Sequence, residues 1–549
     1  MVSAPAKKSK SCNHSLTLFV KAPAKTWPLV LLLLLLLASR AAALGALPLH
    51  NDEGLHLTRA VEVWHGHPFW EIRDGKIVNH WAIAVFYPQH TPEFAARLPT
   101  VLIGLIGLAA VYTLVCARFG LTAALIAGGL WIACPYLFFY ERLGFSDAEA
   151  GALVVVALLA ALRLARTGAI RDAVLTGLAL AAAALFKFTA VPFSLSVALI
   201  VLLLSSAPLA RRIGLLVIVG AVVAACFAVP VGYLLLRGGD FFGIALGWIG
   251  GVSGGEPAFA ANLARLWANL TGYGSALWAL LMITGLVSVV AFGGRVGRTL
   301  LAAALLPLLI IMLFGREVLP RHYVVTLPTA LMLGGAGLGI LLTQPPAPPR
   351  IQEGSKTLIP NPSPSWREGN LAALEANENA SASWMRRGLT VLIGAVLAVG
   401  FVPFAGAAYT TPGNLPLPEE ERRQFITEHS SGFGLREAVQ DFPNIIEQAV
   451  PIIASMFPDG CRRANFYAVN GWEMVCADAP GLPQIQAALD EFGAAYVLVD
   501  TPPHIGADMA DVSATLSAQM TRVKAYPRPG ESEDSATVVL WRVVRESAE

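Results

Sequence analysis

The sequence predicts a polytopic α-helical membrane protein of about eleven transmembrane helices, followed by a C-terminal α/β or α+β domain outside the cytoplasm. Composition comes first: of 549 residues 55% are hydrophobic and only 14% charged, and the mean hydropathy is +0.61. These values exclude a large soluble enzyme. Second, apolar runs of about 17 to 23 residues recur along most of the chain, the length that crosses a bilayer. Third, the last run is followed by a tail of mixed character, long enough to fold alone. A net charge of +2 offers no footprint for nucleic acid, and no nucleic-acid partner is predicted.

Residues 1–26 read as a cytoplasmic tail containing Lys7, Lys8, Lys10, Lys21 and Lys25. The run Leu29 to Ala38 and the small residues Ala41-Ala42-Ala43 are compatible with a cleaved signal peptide. We read them instead as an uncleaved first span over 27–49, with Arg40 near its outer end snorkelling or facing protein. Further spans are expected at 97–116, 121–139, 148–166, 172–187, 190–207, 213–236, 273–293, 298–314, 323–343 and 388–408. Alternate loops are basic: Arg118; Arg163, Arg166 and Arg171; Arg211 and Arg212; Arg295 and Arg298; Arg386 and Arg387. The positive-inside rule then puts the N-terminus in the cytoplasm and every other loop outside.

The domain plan is a membrane module at 27–343, with a first outer loop at 50–96, then a linker at 344–386, a last span at 387–408 and an outer domain at 409–549. The first outer loop is rich in Trp64, His65, His67, Trp70 and Trp81, a composition suited to interfacial helices. The linker has Pro345, Pro346, Pro348, Pro349, Pro360, Pro362 and Pro364, and reads as disordered. In the outer domain we expect helices near 434–456 and 482–492, and strands at Ala495–Asp500 and Thr537–Val544. Cys116, Cys134 and Cys226 lie in apolar runs and act as small hydrophobes. Cys461 and Cys476 form a candidate disulfide if their compartment is oxidising.

The polar clusters all fall on the outer side. His50-Asn51-Asp52-Glu53-Gly54-Leu55-His56 puts two adjacent carboxylates at the mouth of the first span. Ionised acids beside hydrocarbon cost several kcal/mol and are functional candidates until a partner explains them. The second outer loop, Tyr140 to Glu149, holds Glu141, Arg142 and Asp147; an Arg142–Asp147 ion pair fixing the turn is the plain alternative. Lys187 sits where two apolar runs meet, as a phosphate contact or a snorkelling lysine. Arg316-Glu317-Val318-Leu319-Pro320-Arg321-His322-Tyr323 adds two guanidiniums with bidentate phosphate geometry. A purely structural network of these acids with Arg59, Arg73, Arg97 and Arg142 is the competing reading for the whole set.

In order along residues 27–343, four pieces resemble the GT-C glycosyltransferases: Asp52-Glu53; Phe94-Ala95-Ala96-Arg97-Leu98-Pro99; Glu141-Arg142 with Asp147; and Pro320-Arg321-His322-Tyr323. The branch most nearly resembled contains protein O-mannosyltransferases, lipid A aminoarabinose transferases and Rgt-type sugar transferases. Ser431-Gly432-Phe433-Gly434-Leu435-Arg436-Glu437 and Tyr526-Pro527-Arg528-Pro529 extend the likeness more weakly into the tail. His322 is an extra residue against the usual Pro-Arg-Tyr element, and Phe188 follows the lysine where many relatives have glycine. Gly432 and Gly434 lack the parent strand and downstream acid of a nucleotide fingerprint and read as a helix-entry turn.

The resemblance implies an inverting glycosyltransferase in a prokaryotic inner or plasma membrane. Such an enzyme moves a sugar from a polyprenyl-phosphate donor to a lipid, glycan or protein acceptor on the outer face, among membrane lipids. Asp52 is the candidate base, with Glu53 its competitor. Glu141 and Asp147 would orient acceptor or sugar; Lys187, Arg316, Arg321 and Tyr323 would contact the donor phosphate. No cofactor and no metal is predicted, although some GT-C enzymes use a divalent cation, and converging loop carboxylates would supply its oxygen ligands. A transporter or flippase of lipid-linked substrates is the alternative, but no internal repeat is visible and the charges lie at one face rather than midway.

Overall fold

The computed structural model describes residues 23–244, 258–315, 318–343, 364–456, 458–468, 472–500 and 509–546, except for 71, 73, 74, 88–90, 448 and 449, with backbone only for 23–25, 364–386, 458, 459 and 509–511. It is mostly helical, with a small sheet confined to the C-terminal domain, as expected from the hydropathy pattern. The first helix, α1 (Pro23–Ala41), is shorter than the expected span and ends in a turn. The outer loop contributes α2 (Asn51–Trp64) and α3 (Asn79–Ala84). Next come α4 (Pro92–Phe119), α5 (Leu121–Ala133), α6 (Pro135–Tyr140), α7 (Ser146–Thr167), α8 (Ile170–Phe186), α9 (Phe193–Leu204) and α10 (Leu209–Leu236). The module closes with α11 (Phe259–Gly274), α12 (Ala276–Phe292), α13 (Gly294–Phe314), α14 (Pro320–Val324) and α15 (Leu327–Thr343).

Helix length alone does not fix the number of spans. Five described helices are long and apolar enough to cross a membrane, or six if α11 and α12, bent by 114°, count as one broken span. Thr26–Ala41, Leu121–Ala133, Phe188–Leu204 and Leu327–Thr343 are apolar but shorter. The shortening has a chemical cause. Pro135, which lacks a backbone donor, separates α5 from α6, and Lys187 and Pro192 interrupt the run between α8 and α9. Each break puts a polar or irregular segment near the end of a span, where it is tolerated only when buried in protein.

The expected disordered linker is corrected in part. Residues 364–386 continue into one long helix, α16 (Pro364–Thr410). The segment around Leu371-Ala372-Ala373-Leu374-Glu375-Ala376 consists of strong helix formers, with Pro364 at the first position, where its missing N–H costs nothing. Residues 344–363 lie outside the described residues.

The tail after α16 begins with a strap containing the short α17 (Glu419–Arg422), then α18 (Leu435–Ile445). Gly434, at φ 78°, is the N-cap of α18, and Glu437 accepts from its N–H, so the Gly-x-Gly segment is a helix-entry turn. Its domain consists of β1 (Ile452–Met456), α19 (Pro458–Tyr467), β2 (Met474–Ala477), α20 (Leu482–Phe492), β3 (Ala494–Asp500), α21 (Met509–Leu516), β4 (Ala518–Ala525) and β5 (Val538–Arg545). The part of the expected 434–456 helix beyond residue 451 is β1: Ile452 to Met456 are all buried, as in a central strand. The sheet order is β2-β1-β3-β5-β4. β1 runs parallel to β2 and β3, and β5 antiparallel to β3 and β4, which makes the domain a small mixed α/β unit. Cys461 and Cys476 form a disulfide joining α19 to β2.

This domain packs on the outer loop. Leu49, Leu57 and Ala60 share a buried apolar cluster with Leu435, Val439, Ile452 and Leu498. The Arg463 guanidinium, fully buried, donates to the carbonyls of Leu49 (3.1 Å), Ser430 (2.7 Å) and His429 (2.9 Å). A Cβ at Gly54 would stand 2.9 Å from Arg463 Cβ and 3.2 Å from its Cα, so α2 and α19 touch backbone to backbone. Gly54→Ala should therefore cost about 1–3 kcal/mol through overpacking. The expected outcome is a lower thermal midpoint of the detergent-solubilised protein; an unchanged midpoint would mean that the interface yields freely.

Candidate functional site

The site begins with the N-cap of α2. His50 Nδ1 accepts from Asp52 N–H at 3.1 Å, and Glu53 Oε2 accepts from His50 N–H at 2.9 Å, a capping box in which His50 stands in for the usual hydroxyl. The cap aims the two neighbouring acids in different directions. Glu53 turns inward and is fully buried; it accepts two bonds from Arg97 at 2.8 Å each and one from Gly144 N–H at 2.7 Å. Arg97 spends its remaining donors on the carbonyls of Leu44, Leu47 and Pro48. Every Glu53 oxygen is thus engaged, which separates it from its competitor Asp52. Burial alone would raise its carboxyl, but Arg97 and the hydrogen bonds hold it below the ordinary range.

Asp52 faces the opening, with 30% of its side chain exposed. Its Oδ2 accepts from Arg321 Nη1 at 2.6 Å, and Lys76 Nζ stands 3.8 Å away. Burial pushes this carboxyl up, but Lys76 and then Arg321 outweigh it and hold the group well below the usual carboxylate range. The Phe145 ring lies beneath both cations, 5.8 Å from Lys76 Nζ and 6.0 Å from the Arg321 guanidinium carbon. His50 packs edge-on against the same ring.

The remaining expected residues divide. Lys187 Nζ pairs with Asp147 Oδ1 at 2.5 Å, and both side chains are almost wholly buried. Lys187 also lies within electrostatic range of Lys76 and Arg321, so three cations converge on Asp52 and Asp147. Asp147 Oδ2, Ser146 Oγ and Glu149 Oε2 are buried without a hydrogen-bond partner. Glu141 is placed elsewhere: it is buried 2.8 Å from Arg40 Nε and accepts from Trp131 Nε1 at 2.8 Å, holding the end of α1 against the break between α5 and α6. Arg40 therefore faces protein. The Tyr323 hydroxyl donates to the Asn262 carbonyl at 2.8 Å, and its ring is buried beside Met312 and Val318. Arg316, with Glu317 and Arg73, lies outside the described residues. Arg142 makes no pair with Asp147; it caps α1 through the carbonyls of Arg40, Ala42 and Ala43.

Sequence reasoning missed Lys76, His56 and Glu421. Lys76 sits in the aromatic loop two residues after Asp74, which reads as its local partner, although Asp52 and His56 at i and i+4 on one helix face gave a signal for a shared partner. Glu421, in the strap, accepts from the hydroxyls of Tyr140 and Tyr273 at 2.6 Å each; burial pushes its carboxyl up to about 7. Among the described residues no group of three or more His, Cys, Asp or Glu side chains could hold a metal ion.

Residues 67–233 match the family model "Dolichyl-phosphate-mannose-protein mannosyltransferase". No curated protein matches the chain by sequence. Among solved structures, the chain shares its fold with ArnT from Cupriavidus metallidurans bound to undecaprenyl phosphate. The TM-score is 0.56 at 16% identity, covering 94% of this chain and 98% of that one. The apo state of ArnT gives 0.55 at 15% identity, covering 94% and 97%. The Archaeoglobus fulgidus oligosaccharyltransferase is more distant, at 0.47 and 14% identity over 88% and 70%. The likeness to GT-C glycosyltransferases drawn from the sequence is thereby met at two levels, a family model over part of the membrane module and a fold over nearly the whole chain.

Two outcomes are expected. Arg97→Leu leaves Glu53 as an uncompensated buried charge and should cost about 3–5 kcal/mol, seen as a sharply lowered thermal midpoint; an unchanged midpoint would contradict the pairing. His50 is pushed down by burial from 6.5 to about 4, so the folded protein prefers it neutral. Its stabilisation is complete above pH 6.5 and lost as pH falls towards 4, about 3 kcal/mol in all. His50→Asn keeps a cap acceptor that does not titrate. The difference between wild-type and variant melting curves, in which Glu421 cancels, should move against wild type across that window, and a constant difference would refute it.

Proposed function

We propose that this protein is an integral-membrane inverting glycosyltransferase that moves a sugar from a polyprenyl-phosphate donor to an acceptor on the outer face of the membrane. One observation carries the reading: an accessible carboxylate, Asp52, lies between Arg321 and Lys76, with Lys187 close by, in a fold shared with a protein solved bound to undecaprenyl phosphate. The Cys461–Cys476 disulfide supports an oxidising, outer location for the tail that packs on this site.

In the proposed reaction the acceptor hydroxyl attacks the anomeric carbon from the face opposite the phosphate. Asp52 takes the hydroxyl proton, the bond from sugar to phosphate oxygen breaks, and polyprenyl phosphate leaves with its extra charge facing Lys76 and Arg321. The unpartnered oxygens of Asp147 and Glu149 suit sugar hydroxyls, which donate to carboxylates. The arrangement also explains how an acid held so strongly ionised can act as a base. In the resting site Arg321 and Lys76 neutralise Asp52; an incoming phosphate competes for both cations and returns proton affinity to the carboxylate.

The test is transfer from radiolabelled polyprenyl-phosphate sugars by membranes of a host lacking the gene. Asp52→Asn, confirmed folded by its melting curve, should lose transfer by about 10²–10⁴-fold. Full activity of the folded variant would remove Asp52 from the chemistry. Absence of transfer by wild type with every donor would bring the transporter reading forward.

A further inference from the structure

Helix α2 carries a second buried ionisable group that the proposed reaction leaves unassigned. His56 lies one turn beyond Asp52, so both project from the same face of the helix. Its imidazole is fully buried, and its Nε2 is 2.8 Å from Lys76 Nζ. An ammonium only donates, so Nε2 is the accepting nitrogen and the ring proton sits on Nδ1, which has no partner. Burial and then the Lys76 charge push the ring well below the usual histidine range, which keeps it in that neutral, accepting form.

The backbone of Lys76 is already fixed on both sides. Phe188 N–H donates to the Gly75 carbonyl at 3.1 Å, and the N–H groups of Ile77 and Val78 donate to Leu185 at 2.9 and 3.1 Å. The four-carbon stem is flexible by nature, and a lysine beside a carboxylate tends to close into a contact pair. Here it does not: Lys76 Nζ remains 3.8 Å from Asp52 Oδ2, whereas Arg321 reaches the same oxygen at 2.6 Å.

We propose that His56 is a positioning residue for Lys76. It holds the ammonium at the edge of the Asp52 carboxylate, on a neutral acceptor, so that the charge can engage the phosphate of a lipid-linked ligand. This rests on the phosphate-binding part of the function proposed above, and not on sugar transfer itself. The consequence is specific: removing the acceptor should weaken phosphate binding only while Lys76 is present.

The experiment is equilibrium binding of farnesyl phosphate, a short polyprenyl monophosphate, to the full chain in detergent, with melting curves for every variant. His56→Leu and the shorter His56→Asn should weaken binding by about 10-fold or more, the loss of one charge-assisted hydrogen bond. His56→Gln, whose amide oxygen reaches about as far as Nε2, should stay within about 3-fold. If His56→Leu does not fold, the Asn and Gln pair carries the comparison. In a Lys76→Ala background, itself weakened by about 10-fold or more, changing His56 should have no further effect. An equal effect of His56→Asn with and without Lys76, or wild-type binding by His56→Asn, would overturn the proposal. Wild-type binding by Lys76→Ala would overturn it through the phosphate reading, while transfer measured separately on wild type would still decide the glycosyltransferase reading.

Discussion

The Glu53–Arg97 pair is the constraint on which the half of this molecule around α2 is built. Arg97, near the start of α4, reaches across to the chain that leaves α1, takes three of its carbonyls and locks Glu53 at the mouth of α2. Two fully buried charges are tolerable only because every donor and acceptor is matched. Their partners lie on four different segments: α1's exit, α2, α4 and the turn before α7. The pair therefore sets where α2 starts, and with it the direction of Asp52. Asp52 can remain partly exposed because its neighbour has taken over the structural duty.

The same division recurs along the outer side. Glu141 is spent on Arg40 and Trp131 in securing the break at Cys134 and Pro135, whereas Asp147, a few residues on, keeps one oxygen uncommitted next to Lys187. Broken spans explain why so many charges can be buried here. A helix that stops short leaves backbone groups and polar side chains inside the protein rather than in lipid, and these need ionic partners. Arg142 capping the end of α1 and Arg40 bonding the carbonyls of Trp131 and Ile132 are such solutions. Glu53 and Glu141 thus have ionic partners that the structural reading expects, whereas Asp52 and Asp147 keep the exposed or uncommitted oxygens that the functional reading needs.

What the sequence made legible follows from which interactions are local. Apolar runs, a C-terminal domain of helices and strands, the helix at 482–492 and the strands near 495–500 and 537–544 could be read because periodicity and composition decide them, while Cys461 and Cys476 could only be named as candidates. The side on which the polar residues gather was legible from Asp52, Asp147, Lys187 and Arg321, which the fold brings into one electrostatic neighbourhood. What separates Asp52 from Glu53 was not legible, because it depends on Arg97, 44 residues away, and on Gly144. The displacement of Tyr323 into an apolar cluster with Asn262 as partner depends on the bend between α11 and α12, which no local pattern announces. Lys76 was hidden for the same reason: it reaches Asp52 only because hydrogen bonds to Leu185 and Phe188 fold the aromatic loop back.

The C-terminal domain is part of the site's architecture rather than an appendage. Its strap sends Phe425 against His50 at 4.8 Å between ring centres and against Phe139, and it sends Glu421 between Tyr140 and Tyr273. Its α19 brings Arg463 to the Leu49 carbonyl and the Tyr467 hydroxyl to Leu49 N–H. Both backbone groups of the residue just before the His50 cap are therefore held by a domain more than 400 residues later in the chain. The cap that aims Asp52 is clamped between the membrane module, through Arg97, and the outer domain, through Arg463 and Tyr467. A membrane module without the tail would lose one of the two surfaces that define the start of α2, so the geometry of the carboxylate belongs to the whole chain.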